Sequence, residues 1–136
     1  MIYEKSCGAV VFSRSGEGVL YLIEDMQKGH ISICKGHVEP DDIDEYDTAR
    51  REIMEETSLS VRFLDGFREV IRYSPYDGCE KDVVFFLAET DSVDTVPQEC
   101  EVAHLRWLPL EKALDALTYE SDRSVLLAAA HALGEA

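Results

Sequence analysis

Apolar residues in this chain occur in short runs that alternate with polar, turn-rich segments, a pattern typical of strands. Residues 6–13 and 19–23 are rich in β-branched and other apolar side chains. Turn-forming residues 14–18 lie between them, so we expect the two strands to form a hairpin. Residues 30–34 predict a further short strand that leads into a glycine turn.

The strand pattern continues in the second half of the chain. Residues 61–73 alternate between apolar and polar positions, with one break near the middle, and residues 83–88 form the continuous apolar run of a buried strand. Residues 74–82 between them are rich in turn formers and predict a loop. Residues 103–108 predict the last strand.

A different periodicity predicts the first helix. Tyr46, Ala49 and Ile53 recur at helical spacing, so we expect a helix over residues 45–57. Its apolar stripe should face the core, and its acidic residues should lie mostly off that stripe.

Two more helices are expected near the end of the chain. Pro109 suits the first position of a helix over residues 110–117, and residues 121–133 predict a final helix. Strands interleaved with three helices predict an α+β fold, an α/β/α sandwich, in a single domain over residues 1–136.

Composition narrows the class of protein. The chain has 136 residues, 46% of them hydrophobic, which is about one domain. We find neither an apolar stretch of about 18 residues nor a basic leader before an apolar run, so a cytoplasmic location is expected. The four cysteines form no C-x-x-C pair, which predicts free thiols.

The net charge of −15 constrains the partners. Nucleic acids and anionic membranes are attracted by clustered Lys and Arg, so neither is an expected partner of such an acidic chain. An anionic substrate would require bound metal ions that invert the local field. The sequence leaves the oligomeric state open.

Three glutamates predict where that metal binds. Glu52, Glu55 and Glu56 are three or four residues apart on the predicted helix, so they share one face and repel one another by a few tenths of a kcal/mol. A divalent cation would turn this repulsion into ligation. Ligands that are all oxygen favour Mg²⁺, with Mn²⁺ as the alternative.

The segment that holds these glutamates resembles the Nudix box, G-x5-E-x7-R-E-U-x-E-E-x-G-U, where U is apolar. The resemblance implies an α/β/α sandwich around a mixed β-sheet and a metal-dependent pyrophosphohydrolase. The matching positions are Gly36, Arg51, Glu52, Ile53, Glu55, Glu56 and Leu59.

The segment departs from that pattern in two ways. One extra residue lies between the glycine and the arginine, and the middle glutamate is absent, so Asp42, Asp44 or Glu45 is expected to brace Arg51 instead. Ser58 stands where the pattern has its late glycine. A left-handed conformation there would cost a serine about 1 kcal/mol.

Shorter matches over residues 5–108 resemble the asymmetrically cleaving diadenosine tetraphosphate hydrolases. They include the segment from Lys35 to Glu39 and the segment from Glu101 to Trp107. This branch typically has Trp and Pro at the positions of Ile31 and Cys34, so the chain departs from it just before Lys35.

The resemblance implies roles for individual residues. Either Glu52 or Glu101 would be the general base, and Arg51 would complete the catalytic group by bracing the loop. Tyr73 could stack on an adenine or pack within the sheet. The implied metal ligands are the carbonyl of Gly36 and the carboxylates of Glu52, Glu55, Glu56 and Glu101, and the implied substrate contacts are Lys35, His37, Tyr73 and Lys81.

The favoured prediction is a Mg²⁺-dependent enzyme that cleaves diadenosine tetraphosphate into ATP and AMP. One alternative is a Nudix hydrolase of another substrate, such as a nucleoside triphosphate or a nucleotide sugar. The other is a catalytically weak Nudix module that binds nucleotide.

Overall fold

The computed structural model describes residues 1–16 and 18–136. The predicted turn 14–18 includes Glu17, which lies outside the described residues. The described residues form eight strands and three helices. Their bounds are β1 Ile2–Ser15, β2 Gly18–Met26, β3 Ile31–Ser32, β4 Lys35–His37, α1 Glu45–Thr57, β5 Arg62–Phe63, β6 Glu69–Tyr73, β7 Cys79–Glu89, β8 Val102–Leu108, α2 Leu110–Ala116 and α3 Glu120–Ala132.

The strands form one mixed sheet in which the order β3-β2-β1-β7-β5 is the main path. Strands β1 and β7 run parallel, with Ile2 opposite Cys79 at one end and Phe12 opposite Glu89 at the other. The pairs that β1 makes with β2 and β4, and that β7 makes with β5 and β6, are antiparallel. The mixed sheet expected from the resemblance is therefore confirmed.

Alternate residues of β1 are buried on opposite faces of this sheet. Cys7, Ala9 and Val11 belong to the core cluster that packs against α1. Val10 and Phe12 belong to the cluster under α2 and α3. Burying a side chain such as Phe12 completely contributes about 1.5 to 3 kcal/mol. Helices therefore cover both faces, as the predicted α/β/α sandwich requires.

Helix α1 begins and ends where the sequence predicts. Asp44 caps its first turn, because the Asp44 carboxylate accepts a hydrogen bond of 2.8 Å from the backbone N–H of Asp47. Ser58 ends the helix in the left-handed conformation, with a φ of 64°. In the core beneath the helix, the Tyr46 ring stacks on Phe86 at a centroid distance of 4.1 Å.

Several strands differ from the predicted bounds. β1 begins at Ile2 instead of residue 6, and β7 begins at Cys79, inside the predicted loop 74–82. The parallel ladder between the two strands explains both extensions, because it provides hydrogen-bond partners for their backbone N–H and C=O groups. The charged side chain of Asp82 remains at the surface, where it pairs with Arg72. Among the described residues, no helix is both long and apolar enough to cross a bilayer.

Candidate active site

Arg51 fixes the loop between β4 and α1. Its guanidinium donates two hydrogen bonds to the carboxylate of Asp42, at 3.0 and 2.9 Å, and a third of 2.9 Å to the carbonyl of His37. The bonds from Arg51 hold the pKa of Asp42 well below its usual range. Of the three acids expected as braces, Asp42 takes this place, while Asp44 caps α1 and Glu45 pairs with Arg68.

The braced loop opens onto a cleft of 540 Å³, which we call the carboxylate cavity. All five predicted metal ligands line it, and they come from β4, from α1 and from the loop before β8. The Arg51 guanidinium also contacts the carboxylates of Glu52 and Glu55, at 2.9 and 3.2 Å. The residues lining the cavity include Gly36, Glu52, Glu55, Glu56 and Glu101 and three predicted substrate contacts, Lys35, His37 and Lys81.

Gly36 holds the strand against the helix in this cavity. A Cβ atom at this position would lie 1.9 Å from the carboxyl carbon of Glu52, far inside van der Waals contact. Only a glycine lets the Glu52 carboxylate lie against the backbone of β4. The backbone of Gly36 and the Glu52 carboxylate therefore lie side by side, as a shared ligand set requires.

Glu56 is buried, and it is an exception to the expectation that the acids of α1 lie mostly off its apolar stripe. It is only 2% exposed, because it is three residues from the buried Ile53 and shares its face of the helix. Burial, and then the neighbouring charge of Glu24, raise the pKa of Glu56 far above its ordinary value. Burial therefore disfavours the charged form of Glu56 unless a cation lies beside it.

Glu24 on β2 was not among the predicted site residues, yet it lies beside Glu56. It is 1% exposed, and burial raises its pKa. The sequence carried a signal for it: Glu24 is two residues from the buried Leu22 and therefore lies on the same face of β2. A charged residue at a core position of a strand indicates a partner or a function.

Lys81 lies in β7 and not in a loop, which corrects its predicted placement. It is 9% exposed, and burial followed by the charge of Lys35 lowers its pKa. Lys81 is on the same face of β7 as the buried Cys79 and Val83, and its side chain lines the carboxylate cavity. A buried cation at this point favours an anionic ligand.

A second cleft of 520 Å³, the aromatic cavity, adjoins the first. Tyr73 lines this cavity and not the carboxylate cavity, together with Tyr119 and Asp122. Sequence reasoning missed the last two, because they lie where the connection after α2 leads into α3. His30 and Lys35 line both cavities, so the two clefts meet at these residues.

The donor groups of the carboxylate cavity fit a hard divalent cation. They are carboxylates and a backbone carbonyl, which are the ligands that such ions prefer. The close approach of Gly36 to Glu52 and the buried carboxyl of Glu56 place these oxygens on facing elements. The arrangement can therefore bind a cation beside an anionic substrate.

Comparison with known proteins agrees with this geometry. A model of the NUDIX domain matches residues 3–129, so the chain belongs to the NUDIX family. It is a Nudix pyrophosphohydrolase, a class that uses a divalent metal ion. The family predicted from the box around Gly36 is thereby confirmed. No curated protein matches the chain.

Solved structures similar to this chain include two of C. elegans Ap4A hydrolase. Its binary complex is 26% identical, with a TM-score of 0.86 over 96% of this chain and 98% of that protein. A second structure of the same hydrolase is 25% identical, with a TM-score of 0.80 over 98% of each chain. The NUDIX domain of Shewanella oneidensis NrtR, complexed with ADP ribose, is 16% identical, with a TM-score of 0.78 over 98% of this chain and 90% of that one.

Proposed function

We propose that this protein is a Mg²⁺-dependent hydrolase of a nucleoside polyphosphate, and that diadenosine tetraphosphate, cleaved into ATP and AMP, is the favoured substrate. One observation carries the proposal: the carboxylate cavity and the aromatic cavity adjoin at His30 and Lys35. A nucleotide has the same two parts, a phosphate chain and a flat base. The similarity to the C. elegans hydrolase supports the choice of substrate.

In this proposal the carboxylate cavity holds the cation and the phosphates. Glu52, Glu55, Glu56, Glu101 and the carbonyl of Gly36 are the ligands. A bound divalent cation supplies charge that offsets the phosphate oxygens and acidifies water. The phosphate contacts are Lys35, His37 and Lys81.

Proton transfer requires a general base near the attacked phosphorus. Glu52 and Glu101 are the two candidates, and both line the carboxylate cavity. Glu52 is held by Arg51, whereas Glu101 lies on the loop before β8. The base must come within about 3 Å of the attacking water, directly or through one further water. Glu52→Gln and Glu101→Gln should differ in the pH profile of kcat. Only the variant that lacks the general base should lose the acidic limb of this profile.

The aromatic cavity would hold the base of the nucleotide. Tyr73 is 43% exposed, so its ring face is available for stacking, and Tyr119 lines the same cavity. Stacking of one base on an aromatic side chain contributes about 1 to 3 kcal/mol. Tyr73→Ala should therefore raise KM, while the matched control Tyr73→Phe should keep the ring and the affinity.

The first experiment is product analysis by anion exchange after incubation with diadenosine tetraphosphate and Mg²⁺, with EDTA as the control. Equal amounts of ATP and AMP that disappear with EDTA would support the proposal. A parallel reaction in ¹⁸O-labelled water identifies the attacked phosphorus, because the product that gains the label contains it. Release of adenosine instead would contradict cleavage within the polyphosphate chain.

A panel of substrates separates the alternatives. The NrtR domain, complexed with ADP ribose, has the same fold and favours a nucleotide sugar as the second candidate. Turnover of nucleotide sugars or nucleoside triphosphates, without cleavage of diadenosine tetraphosphate, would show that the substrate is one of those compounds instead. Binding of a non-hydrolysable analogue in thermal shift, without turnover of any substrate, would indicate a nucleotide-binding module.

A further inference from the structure

Behind the carboxylate cavity lies a cluster of three buried side chains. One donor atom each of Glu24, Cys34 and Glu56 lies within 4.8 Å of the others. The Cys34 thiol donates a hydrogen bond of 3.3 Å to a carboxylate oxygen of Glu56. All three residues are at most 2% exposed, and they come from β2, from the link between β3 and β4, and from the last turn of α1.

A second observation indicates that this cluster lacks a ligand. Oxygen Oε2 of Glu24 is buried and has no hydrogen-bond partner among the described residues. A buried polar atom left without a partner costs about 1 to 3 kcal/mol, and more when the group is charged. Such atoms are rare in folded proteins, and an unoccupied ion site is one of their explanations.

The donor chemistry of the cluster differs from that of the carboxylate cavity. Of the three residues only Glu56 lines that cavity, whereas Glu24 and Cys34 lie behind it. A thiolate is a soft ligand that selects ions such as Zn²⁺, while Mg²⁺ prefers oxygen. Cys34 also stands where the resembling hydrolases typically have proline, so the thiol is a feature of this chain.

We propose that Glu24, Cys34 and Glu56 form a second cation site, which binds a thiophilic divalent ion such as Zn²⁺ and shares Glu56 with the carboxylate cavity. Ligation releases the thiol proton of Cys34 to solvent, together with any proton that the two carboxyl groups share. One thiolate and two carboxylates then face the two positive charges of the ion. Three protein ligands leave one position of a tetrahedral zinc site open.

Sharing of Glu56 makes the two ions compete. Zn²⁺ held by Cys34 takes this carboxylate away from the Mg²⁺ ligands, so Zn²⁺ should weaken Mg²⁺ binding. Any effect on turnover rests on the proposed function, but the binding of the metal does not. The test therefore follows the metal directly.

The experiment titrates Co²⁺, a spectroscopic substitute for Zn²⁺, into the metal-free protein. We expect a thiolate-to-cobalt charge-transfer band in the near ultraviolet that Zn²⁺ displaces. Cys34→Ser should remove the band. The matched control is Cys100→Ser, because Cys100 is exposed and lines the carboxylate cavity. A band that survives in Cys34→Ser, or that disappears in Cys100→Ser, would overturn the proposal, as would no band in the unaltered protein.

A second variant keeps the test decisive if Cys34→Ser does not fold. Glu24→Gln retains the thiol but removes one ligand, so it should weaken Zn²⁺ binding by at least about 10-fold in calorimetry. Mg²⁺ binding should change far less, because Glu24 does not line the carboxylate cavity. Equal Zn²⁺ affinity in Glu24→Gln and the unaltered protein would exclude Glu24 as a ligand and contradict the site. An inactive protein that still gives the cobalt band would contradict only the proposed hydrolysis.

Discussion

The carboxylate cavity depends on the absence of a side chain at Gly36. The space for a Cβ at Gly36 is filled by the carboxyl group of Glu52, a flexible group that can move away. The space at Gly8 is filled by the backbone carbonyl of Cys34, at 1.9 Å from the Cβ position, and this group cannot move without the chain. The same substitution should therefore damage function at one glycine and the fold at the other.

Gly36→Ala should displace the Glu52 carboxylate and lower turnover by about 10²-fold, the cost of a misplacement of about 1 Å. The melting temperature should change little. Gly8→Ala should instead lower the free energy of unfolding by about 1 to 3 kcal/mol or more. Gly16→Ala is the neutral control, because nothing lies within 4 Å of its Cβ position. Steady-state kinetics and thermal denaturation check the three variants, and unchanged turnover in Gly36→Ala would contradict the placement of Glu52.

Glu56→Gln should lower turnover by orders of magnitude while the protein still folds. The amide has the shape of a carboxyl group and carries no charge, so its burial costs less, and the melting temperature in EDTA should be at least as high as that of the unaltered protein. Added Mg²⁺ should no longer raise it, because a cation stabilises the fold only where it binds. Activity assays and thermal shift with and without Mg²⁺ test this, and near-normal activity would show that the metal site is assigned wrongly.

At the scale of elements, helix α1 is anchored to the rest of the molecule at its first residue. Glu45 accepts two hydrogen bonds from Arg68, at 2.9 and 2.8 Å, and pairs with Lys5 at 2.5 Å. The bonds from Arg68 lower the pKa of Glu45 to about 2. These contacts join the start of the helix to β1 and to the segment before β6.

This anchor predicts a pH dependence of stability. Because the pKa of Glu45 is lowered on folding, its contribution is complete above the unfolded value of 4.5 and is lost as the pH falls toward 2. Glu45→Gln should cost about 1 kcal/mol near neutral pH, since the pair is partly exposed. Urea denaturation from pH 7 to pH 3 should show this difference shrinking below about pH 4.5.

Glu111→Gln is the control for this experiment, because Glu111 lies in the first turn of α2 and makes no ion pair among the described residues. Glu111→Gln should change the free energy of unfolding only slightly, and this change should not shrink below about pH 4.5. A constant difference between Glu45→Gln and the unaltered protein across this range would contradict the shifted pKa.

Elements whose caps and apolar periodicity lie within their own residues could be predicted from the sequence. Strand segments that form only because a distant strand pairs with them could not. The signals for helix α1, its cap at Asp44 and its apolar stripe, are both contained in its own local sequence. The first residues of β7 contain Glu80 and Asp82, which look like a loop until β1 supplies a parallel partner. The position of Glu24 on the buried face of β2 could be predicted, but its proximity to Cys34 and Glu56 could not, because those residues belong to other elements.

At the scale of the whole molecule, the net charge of −15 opposes an anionic substrate. Salt screens this long-range repulsion, since the Debye length falls from about 30 Å at 0.01 M to about 8 Å at 0.15 M. At fixed Mg²⁺, added choline chloride should therefore raise kcat/KM severalfold over this range, while kcat at saturating substrate stays constant. A fall in kcat/KM with salt would show that the local field of Lys35 and Lys81 exceeds that of the surface.

The parallel ladder between β1 and β7 also determines when the molecule can assemble on the ribosome. The backbone groups of Ile2 and Phe12 can pair with β7 only after Cys79 and Glu89 have been synthesised. At about 5–20 residues per second, the first strand spends several seconds with this edge unpaired. Lys81 arrives with β7, and Glu101 arrives later still, just before β8. A nascent chain that stalls before β7 emerges therefore exposes an apolar strand edge to chaperones and carries only part of the cation site.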